Sequence, residues 1–151
     1  MRSRFAFALV FVAAVASADA PPDQYDPFTP VDSTISDHWA RLDWQRIINS
    51  PMVNHAGAMN ACMTQRLPTY RELLTIVDED PHAEWDPEAG ATTDRYIDPN
   101  AFPATPPGPF WSMSPGASPG SFKAVYFDSG ESHDLDQNAL GWVRCVVDKV
   151  P

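Results

Sequence analysis

Arg66-Leu67-Pro68-Thr69-Tyr70-Arg71-Glu72-Leu73-Leu74-Thr75-Ile76-Val77-Asp78 is the stretch on which the fold turns. Thr69 and Glu72 have the spacing of a capping box. The Thr69 hydroxyl can accept from the Glu72 backbone N–H, and the Glu72 carboxylate can reach back to the Thr69 N–H. Tyr70, Leu73, Leu74 and Val77 then fall on one apolar helical stripe. Pro68 fixes the entry, and Pro81 disfavours a helix past Asp80. The spacing predicts a helix at about 69–79, packed on a sheet supplied by the C-terminal third.

Upstream, residues 1–20 read as a signal peptide. Arg2 and Arg4 form a basic start, Phe5–Ala16 is an apolar run too short for a comfortable membrane span, and Ala18-Asp19-Ala20 is a small-x-small cleavage site. The expected product is exported and soluble, with 131 of the 151 residues. Losing Arg2, Arg4 and Asp19 moves the formal net charge from −10 to −11. That length suits one domain with one core. So acidic a chain repels nucleic acid and anionic membrane surfaces, and no later run is long enough for membrane insertion.

Residues 21–37, with Pro21, Pro22, Pro27 and Pro30, read as a Pro-rich flexible leader, and residues 38–151 as the domain. Arg41–Ile48 is a candidate first strand. Asn54 is a candidate N-cap for a second short helix at about 55–64. Residues 80–109 carry seven prolines and no periodicity, which predicts a long loop of the kind that is often functional. Strands are expected at 110–114 and 122–127. A turn at Asp128-Ser129-Gly130 leads to a return at 131–135, and a last strand runs 142–147. In that last strand Val143, Cys145 and Val147 share the expected core face. Cys62 and Cys145 are the two cysteines. In an oxidising compartment, with no C-x-x-C and no His beside either, they are expected to form a disulfide.

Taken in order, several pieces resemble a known family. They are Asp43-Trp44-Gln45-Arg46, Ala61-Cys62, Arg66-Leu67-Pro68-Thr69 with Glu72-Leu73 and Ile76-Val77-Asp78, Ile97-Asp98 with Phe102-Pro103, Phe110-Trp111-Ser112, Phe127-Asp128-Ser129-Gly130, and Val143-Arg144-Cys145-Val146. The set is similar to the Lcl C-terminal domain family, a bacterial exported domain of unknown function, from about Arg41 to Val147. The resemblance implies a compact α+β fold of the C-type-lectin-like kind. Two short helices would pack on a small, twisted, mainly antiparallel sheet with long loops. It also implies the Cys62–Cys145 pairing. For the family's named member it implies sulfated-glycan binding and trimers behind a collagen-like stalk. This chain has no collagen repeat and is acidic. It also shortens the link between Cys62 and Arg66 to Met63-Thr64-Gln65, and the family supplies no catalytic residues to transfer.

Within the chain itself, His38, His55, His82 and His133 are scattered, and no Gly-x-Ser-x-Gly elbow occurs. Asp134-Leu135-Asp136-Gln137-Asn138 starts like a calcium loop, but Ala139 replaces the needed Gly and Cys145 the closing Glu. As a metal site, Asp134, Asp136 and Asn138 would bind Ca²⁺ only with help from another loop. Trp85 between Glu84 and Asp86 is the candidate ligand site. Sugar recognition combines an aromatic platform with carboxylate acceptors for hydroxyls. The bland alternative is that Trp85 caps the core while the acids face water. The expected function is a non-enzymatic exported binding or adhesion module for an extracellular glycan or protein. The alternatives are an enzyme on a lectin-like scaffold, in outline like the formylglycine-generating enzymes, and a structural envelope component.

Overall fold

A computed structural model describes residues 23–29, 32–87 and 89–149. The expected signal peptide lies outside them. The described chain is a small α+β domain with two helices and three small antiparallel sheets. No helix among the described residues is long and apolar enough to cross a membrane.

The first sheet is β1 (Thr34–Asp37), β2 (Leu42–Gln45) and β8 (Val146–Asp148), with β2 central. The expected flexible leader therefore needs correction, because its end is β1. Asp37 is fully buried: Oδ1 accepts from the Trp39 and Ala40 N–H groups, and Oδ2 from Gln24 Nε2. Tyr25 packs edge-on against Phe102. The segment's prolines suggest a leader, yet a buried carboxylate that closes a turn and binds an upstream amide anchors it.

Helix α1 (His55–Ala61) starts where Asn54 Oδ1 accepts the Gly57 N–H. Helix α2 (Tyr70–Leu74) carries both halves of the expected capping box. It stops earlier than the stripe suggested. Ile76 and Val77 donate to the carbonyls three residues back, so the chain tightens after Leu74. The change of phase buries Ile76 and leaves Leu74 exposed. Arg66 clamps the start of α2 from outside, with Nη1 and Nη2 each 2.8 Å from a Glu72 oxygen, while Nε reaches Asp148 of β8.

The main sheet is β5 (Pro109–Pro115), β6 (Ser121–Tyr126) and β7 (Ser132–Asp136), and α2 packs against β5 and β6. β5 is buried on both faces. Phe110 joins the larger cluster with Trp44, Leu73, Phe102, Phe127 and Val146. Trp111, pointing the other way, joins Ala58, Leu67, Val143 and the two cysteines. Cys62 and Cys145 form a disulfide with Cα atoms 5.6 Å apart.

The last strand is shorter than expected. Residues 143–145 are irregular, Val146 is buried and Val147 is exposed. Gln45 Oε1 accepts the Cys145 N–H, and the Arg144 guanidinium turns fully inward. Among the described residues, only the Gln45 N–H to Cys145 carbonyl bond continues the backbone pairing there, and side-chain bonds take the rest, so alternation fails.

The stretch 80–109 also departs from the expected irregular loop. It opens as a hairpin, β3 (His82–Asp86) and β4 (Ala91–Arg95), paired from His82↔Arg95 to Asp86↔Ala91. Gly90, with φ 62°, supplies the left-handed turn residue. Thr92 and Thr93 give β4 its strand preference.

Candidate functional site

The hairpin positions the candidate ligand residues. Alternation along β3 turns Glu84 and Asp86 toward the protein body and Trp85 outward. Trp85 is 64% exposed. The two acids do not flank it freely in water, because each is tied inward. Asp86 Oδ2 lies 2.8 Å from Arg95 Nη2, and its Oδ1 accepts the Ala89 N–H. Glu84 Oε1 accepts the Ala104 N–H, pinning the hairpin to the following segment, while Oε2 bonds no other described residue.

Between the hairpin and residues 104–107 lies a cleft of about 140 Å³. Trp85, Pro87, Pro106 and Pro107 give it apolar walls, and Arg95 and Thr105 form its inner end. Arg95 is held by three protein acceptors in addition to Asp86, the Thr105 and Asp94 carbonyls and Thr93 Oγ1, which fix its guanidinium in place. Thr105 Oγ1 donates to the Phe102 carbonyl and accepts from Arg144 Nη2.

Arg144 is fully buried, lies over the Phe102 ring at 4.5 Å, and donates through Nη1 to the Gln45 and Arg46 carbonyls. Burial pushes its pKa down to about 9, partly opposed by Tyr25, so it remains charged at neutral pH. The Tyr25 hydroxyl is pushed up by burial and by Asp37, Asp98 and Asp78. Two buried guanidiniums thus lie behind the cleft of an acidic protein. Sequence reading missed this support. The signal it could have used was the Asp86-Pro87…Gly90 turn followed by two threonines.

The Asp134, Asp136 and Asn138 side chains sit on exposed positions at the end of β7. Asp134 Oδ1 pairs with Lys123 Nζ at 2.6 Å and Oδ2 accepts the Ala117 N–H. Those bonds hold its carboxyl below the usual range, the backbone bond foremost. Asp136 Oδ1 accepts from both the backbone and side-chain N–H groups of Asn138. Among the described residues, no group of three or more His, Cys, Asp or Glu is arranged to hold a metal ion. Three histidines each face one carboxylate: His38 with Asp26, His82 with Asp78, His133 with Glu131. His55 instead is buried, donating from Nε2 to the Ser112 carbonyl.

Comparison with curated proteins and with solved structures returns no match. The Lcl C-terminal domain profile matches residues 33–147, three-quarters of the chain, from one residue before β1. The chain belongs to the Lcl C-terminal domain family.

Proposed function

We propose that this is an exported, non-enzymatic binding module that takes an extracellular ligand in the cleft beside Trp85. The carrying observation is the exposed Trp85 ring on a hairpin fixed along its inner face by Asp86–Arg95 and to the following segment by Glu84–Ala104. A rigid aromatic platform loses little conformational freedom on binding, so its contact area is used efficiently. Glu84 Oε2 is a free acceptor at the rim, suited to a hydroxyl of a neutral polyhydroxyl ligand such as a glycan. Net charge of −10 disfavours polyanions. Both cysteines are consumed in the disulfide, which leaves no thiol for chemistry of the formylglycine-generating kind.

The test is a glycan-array and cell-surface binding screen on the full chain beside Trp85→Ala. Binding of a neutral glycan or of a protein that is lost in Trp85→Ala supports the proposal. Tight, salt-sensitive binding to heparin that survives Trp85→Ala contradicts it.

A further inference from the structure

A pocket sharing no lining residue with the Trp85 cleft lies between the start of α1 and the end of β7. It has a volume of about 300 Å³, the lower end of the range for small-molecule sites, and is lined by Asn54, His55, Ala56, Phe122, Gln137 and Asn138. None of these side chains carries a formal charge while His55 is neutral.

His55 is the built element. It is only 7% exposed, and its ring stacks on Phe122 at 3.4 Å between centroids and meets Trp111 edge-on at 5.2 Å. Its backbone N–H donates to the Gln137 carbonyl, which ties the two walls together. Because the Ser112 carbonyl can only accept, Nε2 must carry the proton. The tautomer is therefore fixed, and Nδ1 keeps its lone pair, with no partner among the described residues. Nδ1 is therefore an oriented acceptor on the pocket wall that no described residue uses, open to a donor that arrives from outside.

The other polar groups complement it. The Gln137 side chain makes no bond to a described residue, and Asn138 binds Asp136 through its nitrogen, leaving Oδ1 free. Asn54 uses Oδ1 on its own helix and retains its N–H₂ donors. A lining with no cation gives an anion nothing to pair with, and one with no carboxylate gives a cation nothing to pair with.

We infer that this pocket is a second binding site, for a neutral hydroxyl-bearing unit such as a single sugar residue. One hydroxyl donates to His55 Nδ1, the Gln137 and Asn138 amides take neighbouring hydroxyls, and Phe122 supplies the apolar wall.

The experiment titrates the full chain with the methyl glycosides of glucose, galactose and mannose. It follows the His55 ring nitrogens, the Gln137 side-chain amide and the Trp85 indole N–H by ¹⁵N NMR. At least one glycoside should shift the His55 Nδ1 and Gln137 signals saturably. His55→Gln, which keeps a donor toward Ser112 but lacks Nδ1, should weaken that binding about tenfold, the worth of one good hydrogen bond. Gln137→Ala, at an exposed position, should weaken it without disturbing the fold, and Trp85→Ala should leave it unchanged. The inference is overturned if no glycoside moves His55 Nδ1, if Gln137→Ala binds like wild type, or if the response is confined to Trp85. Should His55→Gln fail to fold, Gln137→Ala still decides.

Discussion

Arg95 Nη2 lies 2.8 Å from Asp86 Oδ2 across the β3–β4 hairpin, with both side chains at most 6% exposed. The pair runs along the inner face of the hairpin, from its turn end to its open end, and the outward face carries Trp85. Burying two charges is costly, and their attraction with further hydrogen bonds offsets that cost only while both partners are present. Arg95→Ala should therefore cost about 3–5 kcal/mol by leaving the buried Asp86 carboxylate without its guanidinium. Denaturant midpoints measure it. A loss under about 1 kcal/mol would mean the hairpin is not held this way.

Glu72 serves two partners, the Thr69 N–H and the Arg66 guanidinium. Burial opposes its ionisation, but those partners outweigh burial and keep its carboxyl below the usual range. Thr69→Ala should cost about 1 kcal/mol, one cap bond. Glu72→Ala should cost more, about 1–2 kcal/mol, because Arg66 also loses its partner. Arg66→Ala and Glu72→Ala combined should cost less than their sum. Additive losses would show that the two side chains are uncoupled.

The Cys62–Cys145 bond closes a separation of 83 residues. Its removal should lower stability by about 4 kcal/mol in the chain-entropy picture. Thiol titration of denatured, unreduced protein should find no free thiol, and two free thiols would contradict the pairing.

Burial lowers the pKa of His55, against the opposing effect of its bond to Ser112. Above about pH 6.5 the ring is neutral in both folded and unfolded chains, so it contributes no pH dependence. Below that, the unfolded chain takes up the proton first, so stability falls as pH falls. Melting temperatures of wild type and His55→Gln should therefore converge between about pH 7 and pH 5, with wild type losing more. A difference constant with pH would refute a depressed His55.

Legibility in the sequence followed how local each determinant was. The capping box needs four residues, Thr69 to Glu72, and was fully readable. The fully buried Trp44 and Trp111 stood in recognisable strand patterns. The end of α2 was not readable, because tightening after Leu74 is set by packing of Ile76 in the core. β1 was hidden because Asp37, an apparent loop residue, has its partners at Gln24, Trp39 and Ala40. The hairpin at 82–95 was hidden by the surrounding prolines. Trp85 was readable as a candidate, but not that Glu84 and Asp86 would face inward, since a strand assignment is needed to know it. His55 was visible only as a lone histidine, because its partners Ser112 and Phe122 lie more than fifty residues away.

The central claim is that the cleft beside Trp85 receives the ligand. The most direct measurement follows the indole N–H resonances of the five tryptophans while the full chain is titrated with a neutral glycan that binds it in the screen. The account predicts a saturable shift of the Trp85 signal and a weakened affinity for that glycan in Trp85→Ala, while buried Trp44 and Trp111 stay still. Binding that leaves Trp85 unmoved, or that moves Trp39 instead, would contradict it.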